Sequence, residues 1–199
     1  VDLPPAVTVY EDDVRDERAL TAAAEGVDLI FHEAAVVSVQ QSLDDPAGTN
    51  AINLQGTLNV LEAARREDAR VVFASSAAVY GRPERVPIAE DDPLGPLSPY
   101  GVQKRAADEY VRLYHERYDL PAVPLRYFNA YGPGSSGGDY AGVITAFRDR
   151  ITAGDPLIVD GDGTQTRDFV HVDDIVQANL RAATTDAVGR AYNVGTGRS

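Results

Sequence analysis

A doubly wound α/β fold, a parallel sheet with helices on both faces, is what this sequence predicts, and three observations predict it. Short apolar runs alternate with stretches of helical spacing: "VDLIFH", "RVVFASS" and "AVPLRYFN" are each separated by an amphipathic segment. Strand and helix alternating in this way imply parallel strands joined by crossovers. The runs are nearly continuous in Val, Leu, Ile and Phe, as strands covered on both faces are. Polar residues collect where each run ends, the place where ligands bind in such sheets.

Taken in order, "AVTVYEDD" (6–13) reads as a strand ending in carboxylates, and "ALTAAAEG" as a short helix stopped at Gly26. "VDLIFHEAA" is a buried strand by its apolar run Val27, Leu29, Ile30 and Phe31. In "NAINLQGTLNVLEAARRE", Ile52, Leu54, Leu58 and Leu61 recur near helical spacing, with Asn50 the expected N-cap. "RVVFASS" is the next buried strand, followed by a Pro-rich loop from Pro83 to Pro99. "SPYGVQKRAADEY" opens a helix, and "AVPLRYFN" is a fourth strand. Beyond the glycine-rich "YGPGSSGGD", "GVITAFRDRITAG" is an amphipathic helix ending at Gly154. "PLIVDGDGTQTRDFVHVDDIVQANLRAA" reads as a short strand, a hairpin-like loop and a helix, and "AYNVG" as a strand returning to the main sheet. Residues 1–129, with 190–196 returning, form the expected sheet domain, and 130–189 a partial substrate-binding lobe.

The 199 residues are 44% hydrophobic, enough for one cored domain with a small second lobe. No apolar run reaches the roughly eighteen residues that a membrane helix needs, and no basic segment leads into an apolar stretch at the start. Cysteine is absent, which excludes disulfides and thiolate zinc sites and fits a cytoplasmic setting. The formal charge of −13 repels nucleic-acid phosphates and anionic lipid, so neither is an expected partner. Lysine occurs once among eighteen basic residues. That scarcity, with the acidity, fits adaptation to high salt; a genome composition that trades lysine for arginine remains the other reading.

The one lysine, Lys104, falls four residues after Tyr100, so on a helix phenol and ammonium share a face. A tyrosine beside a fixed positive charge titrates below its usual value of about 10. Tyr100 is therefore a candidate acid/base. An ammonium, compact and with three donors, is also suited to a ribose diol. Ser76, closing the preceding strand, offers a hydroxyl for a substrate alcohol or carbonyl. The spacing of Tyr100 and Lys104 alone is weak; their place after a strand ending in "SS" gives it weight. His32 reads as a satisfied core or strand-end histidine, with no proton transfer assigned.

"FASSAAVYG", "YGVQK", "LRYFNAYGPG" and "DGDGTQTRDFVHVDD", in this order, resemble the extended short-chain dehydrogenase/reductases, and among them the NAD-dependent sugar-nucleotide epimerases of the UDP-glucose 4-epimerase type. The resemblance implies a Rossmann-type sheet, NAD as cofactor, a UDP-sugar as substrate and a homodimer. By it, Tyr100 is the catalytic base, Lys104 holds the nicotinamide ribose and tunes the tyrosine, and Ser76 binds the reacting hydroxyl. Asp13 and Val14 would lie beside the adenine, Ala34 and Ala35 would line the cofactor cleft with Ser75, and Asn53 would sit near the nicotinamide ribose. Tyr127 would lie close to the nicotinamide, Asn129 would contact the sugar diphosphate, and Arg167 would pair with the nucleotide phosphates. Asp13 also reads as a strand-end cap, Asn53 as a residue bonding backbone, and Arg167 as a surface side chain.

Relatives that dehydrate their sugar carry an additional acid and base after the serine position, where this chain has Ala77 and Ala78. Epimerisation, or a simple 4-keto reduction, is the expectation. The glycine-rich turn that cradles a pyrophosphate in such folds does not occur in this sequence. The expectation is therefore weak NAD binding or none, and no epimerase activity, by residues 1–199 alone, with the first strand sliding beside Leu29–His32 or a second subunit covering that edge. Three functions stay open: the epimerase, a related NAD-dependent reductase or dehydratase, and a shortened non-catalytic relative.

Overall fold

A computed structural model of the chain describes residues 4–134, 142–159 and 161–198. Most of the glycine-rich stretch "YGPGSSGGD" and position 160 of the expected hairpin lie outside the described residues. The described elements are helix α1 (Glu17–Ala23), strand β1 (Leu29–His32), and helices α2 (Val39–Asp44) and α3 (Pro46–Asn50). A π-helical turn (Ala51–Gln55) leads into α4 (Gly56–Glu67), and β2 (Arg70–Ser76) ends in a 3₁₀ turn (Ala77–Val79). Helix α5 (Pro99–Tyr118), β3 (Ala122–Tyr127), β4 (Asn129–Tyr131) and α6 (Val143–Ala153) follow, then β5 (Phe169–His171), α7 (Val172–Ala182) and β6 (Tyr192–Val194).

Four strands form one parallel sheet in the order β1-β2-β3-β6, and β4 pairs in parallel with β5 in a second, two-stranded sheet. The alternation of side chains along β2 explains the two cores. Val71 and Phe73 face Leu61 and Ala64 of α4 and Ala107, Val111 and Tyr114 of α5. Val72 faces the other way, with Val123 and Leu125 of β3, Ile175 and Ala182 of α7, and Val194 of β6. Helices thus cover both faces, as the sequence pattern predicts. No helix among the described residues is long and apolar enough to cross a membrane.

Both crossovers into the sheet centre use the same joint. Helices α4 and α5 end on aspartates in the left-handed region, Asp68 at φ 53° and Asp119 at φ 55°. Each of these turns the chain directly into β2 or β3.

Five expectations are corrected. Residues 6–13 form no strand: Val7, Val9 and Tyr10 are exposed, and no neighbour among the described residues offers this segment a ladder. It does not slide beside β1 either. Strand β1 is consequently an edge, with Phe31 42% exposed where a doubly buried strand was expected. Asn50 caps nothing; it closes α3, whose start is capped by Asp45 accepting from the Gly48 amide. Residues 156–159 form no strand, so the hairpin is absent; Phe169–His171 pairs instead with distant Asn129–Tyr131. The fifth correction concerns the titration of Tyr100, below.

Candidate functional site

The carboxyl ends of β1, β2 and β3 converge with the first turns of α5. Ser98 caps α5, accepting from the Gly101 amide, and Pro99 occupies its first turn. Gly101 lets that turn press against the strand end: a Cβ there would lie 2.8 Å from the Ala78 carbonyl oxygen. The close approach brings Tyr100 up to the strand end that carries Ser76, the side chain that acts on its phenol. Ser76 Oγ also accepts from the Ala78 amide at 3.2 Å. Ladder pairing sets Ser75 opposite Arg126 and Ser76 opposite Tyr127.

Tyr100 is 7% exposed and Lys104 2%. Burial pushes the Tyr100 phenol up from its ordinary value, and Ser76 is the influence acting the other way. The expected downward pull from Lys104 is thus not what the structure shows, because a phenolate loses its solvation here. The ammonium instead donates to the Ala74 carbonyl at 2.7 Å and lies 4.8 Å over the Phe73 ring. Burial draws Lys104 down to about 8, with Asp108 and Glu33 opposing that fall.

His32 is 4% exposed, stacked on Phe73, and drawn down to about 4 by burial with the Lys104 charge adding to the effect. Its Nε2 lies 3.0 Å from Thr57 Oγ1, and that hydroxyl donates to the Asn53 carbonyl. Nε2 is therefore the donor. The ring is neutral and occupied, in keeping with a histidine that moves no proton.

Asn53 lies in the π-helical turn, 1% exposed. Its Oδ1 accepts from the Val36 amide, and its Nδ2 donates to the Val36 carbonyl and to Gln103 Oε1 at 2.8 Å. It pins the loop carrying Ala34 and Ala35 to α5. Tyr127 donates to Glu33 Oε1 and receives a bond from Asn179 Nδ2, and burial together with Glu33 pushes its phenol up. Asn129 donates through amide and side chain to the Asp168 carbonyl. The Asp168 carboxylate in turn accepts from the Thr196 and Gly197 amides.

Asp13 is exposed and paired with Arg15 through both carboxylate oxygens, which holds it down at about 2. The Val14 carbonyl accepts from Asn59 Nδ2. Arg167 is exposed and donates to Thr166 O and Gln165 Oε1. The structure thus brings Ser75, Ser76, Tyr100, Lys104 and Tyr127 together. It leaves Arg167 on the surface, and gives Asp13 to its own sequence neighbour.

Sequence reasoning passed over Asp108 and Arg126, a buried ion pair at 2.8 Å. Two signals were available. Asp108 stands four residues after Lys104, and an arginine inside the apolar run "AVPLRYFN" demands a buried counter-charge.

A nucleotide cofactor needs acceptors for ribose hydroxyls, a positive donor near its reacting end, and open backbone at strand ends. Asp13 and Lys104 are of the right chemical kind and Ala34 is open, though Asp13 is here paired with Arg15 and Lys104 is bonded to the Ala74 carbonyl. The NAD dependent epimerase/dehydratase family model matches residues 2–195. A UDP-glucose 4-epimerase of Mycolicibacterium smegmatis is 41% identical, covering 85% of this chain and 55% of that protein. A UDP-N-acetyl-alpha-D-glucosaminuronate decarboxylase of Bacillus cytotoxicus is 35% identical over 92% of this chain and 58% of that one. Among solved structures, the UDP-glucose 4-epimerase of Thermus thermophilus in complex with NAD superposes with a TM-score of 0.90 at 36% identity, covering 98% of this chain and 66% of that one. The chain spans little more than half the length of the relatives it matches.

Proposed function

The chain belongs to the NAD-dependent epimerase/dehydratase family, and from that premise we propose that it carries the reacting residues of a UDP-sugar 4-epimerase. The observation that carries this reading is a buried tyrosine whose helical turn is seated against the end of the strand carrying Ser76, one turn before a buried lysine bonded to that same strand. Bound NAD supplies the acceptor that takes and returns a hydride. Asp13 and Val14 would hold its adenosine end, Ala34, Ala35 and Ser75 its length, and Asn53, Lys104 and Tyr127 its reacting end.

Ser76 orients the sugar 4-hydroxyl toward Tyr100, and Tyr100 takes its proton. Burial holds the phenol up, and Ser76 is the group that acts the other way, favouring its ionisation. The same proton returns when the 4-keto sugar, turned over, is reduced on its other face. Asn129 and Arg167 are assigned to the diphosphate; the guanidinium is exposed and its present bonds are to a carbonyl and an amide, which a phosphate would outbid. Ala77 and Ala78 follow Ser76 without a carboxylate, which favours epimerisation over dehydration.

The test uses a form of the protein that carries these residues and holds NAD, incubated with NAD and UDP-galactose, with chromatography of the nucleotide sugars. UDP-glucose forming without net NADH is expected, and Tyr100→Phe should lower turnover by at least ~10². A 4-keto-6-deoxy or decarboxylated product from the corresponding UDP-sugar, or turnover untouched in the variant, would overturn the assignment.

A further inference from the structure

Three charges are buried behind the reacting pair: Lys104 at 2%, Asp108 at 5% and Arg126 at 6% exposure. Ionised groups stay buried only when other groups answer their charge. Asp108 lies one turn beyond Lys104 on the same face of α5, as Lys104 lies one turn beyond Tyr100. Arg126 Nε donates to Asp108 Oδ2 at 2.8 Å. Its Nη1 donates to the Tyr80 hydroxyl at 2.7 Å and to the Glu90 carbonyl at 3.0 Å. The Tyr80 hydroxyl continues to Asn193 Oδ1 at 2.7 Å, on β6. The guanidinium is therefore fixed from three directions, and one carboxylate oxygen is fixed with it.

The other oxygen, Oδ1, is buried and has no conventional hydrogen-bond partner, as has Ser75 Oγ. Burial pushes the Asp108 carboxyl up from its ordinary value, and Ser75, Arg126 and Lys104 oppose that rise. A carboxylate half-held by arginine, buried one turn from Lys104 on the same helix face, is placed for more than bracing the core. We propose that Asp108 is a positioning residue of the site: braced by Arg126, it holds the Lys104 ammonium charged and in register one turn from Tyr100.

The electrostatics agree in direction. Lys104 is drawn down chiefly by burial, and Asp108 is the first of the groups opposing that fall. Glu33, at the end of β1, is the second, but it is exposed and hydrogen-bonded by Tyr127. His32 of β1 is neutral, Tyr100 of α5 is a phenol, and Arg126 of β3 reaches Lys104 through the carboxylate it holds. Asp108 is thus the buried anion of the group.

The proposal rests on Tyr100 and Lys104 being the reacting pair, but its test reads Lys104 directly. These 199 residues contain one lysine. Protein labelled with ¹³Cε-lysine gives a single lysine signal, whose pH titration reports Lys104. Asp108→Asn is expected to lower that midpoint by about one unit or more, and Asp108→Glu to restore most of it. Glu33→Gln should move it less. Since Asp108→Asn strands a buried guanidinium, Asp108→Asn with Arg126→Gln is measured beside it, and the same fall is expected. A midpoint unchanged in whichever of these variants is folded overturns the proposal. A shifted midpoint in a protein that turns over no UDP-sugar would uphold the Asp108–Lys104 coupling and count against the epimerase reading alone.

Discussion

Lys104 Nζ donates to the carbonyl of Ala74 at 2.7 Å, two residues before Ser76 on the same strand. The bond ties the helix that carries Tyr100 to the strand that carries Ser76, and the ammonium reaches it under the Phe73 ring. A guanidinium is broader than an ammonium and holds its donors in one fixed plane, so it does not reproduce a compact, rotatable charge in that place.

Lys104→Arg is accordingly expected to be harmful though charge is kept. Turnover should fall at least ~10-fold, and the urea midpoint should drop, because overpacking a filled site costs about 1–3 kcal/mol. Normal turnover at an unchanged midpoint would mean that charge alone matters here.

His32 sets a pH dependence. It titrates near 4 when folded against a value of 6.5 unburied. Between these values the unfolded chain binds a proton that the folded chain refuses, so stability present above pH 6.5 is lost as pH falls toward 4. Urea unfolding at about pH 7.5 and about pH 5 should show the decline, and His32→Gln should flatten it. An equal decline in the variant would assign the effect to carboxylates.

Gly81 turns the chain just after Tyr80, at φ 67°, and a Cβ there would lie 1.9 Å from the Gly95 carbonyl oxygen. Backbone cannot step aside as a flexible side chain does. Gly81→Ala should cost about 2 kcal/mol or more in chemical denaturation, combining left-handed strain with the clash. A cost under about 0.5 kcal/mol would show the turn to be pliant.

The acidity makes a separate claim. If the charge of −13 reflects life in concentrated salt, the melting temperature should climb steeply from dilute buffer to molar KCl, as screening relieves repulsion among carboxylates. A flat profile would point to genome composition.

The central strands and helices were legible because period alone separates them: β2 carries Val71 and Phe73 to one core and Val72 to the other. The segment around Val9 misled because alternation describes a strand only if a neighbour exists to pair with it, and the sequence of a strand does not contain its neighbour. The pairing of Phe169–His171 with Asn129–Tyr131 was hidden for the same reason. At the site, the meeting of Ser76, Tyr100 and Lys104 followed from a strand end and a four-residue interval. The direction of the Tyr100 titration did not, because desolvation is set by how tightly the first turn of α5 seats on Ala78, a property of packing. Asp108 and Arg126 were overlooked because each was read singly; an arginine inside an apolar run called for a counter-charge, but which carboxylate supplies it is set by packing.

The twin joints at Asp68 and Asp119 leave the protein with stability it has not taken up. A side chain in the left-handed region carries a steric penalty of about 1–2 kcal/mol that glycine escapes, and a carboxylate beside the negative end of a helix adds to it. Two crossovers therefore each close against a small opposing force at a point far from any reacting group. Glycine at either place would tighten the scaffold and leave the chemistry alone, so the fold is not at the limit of its own sequence but one substitution short of it at each hinge.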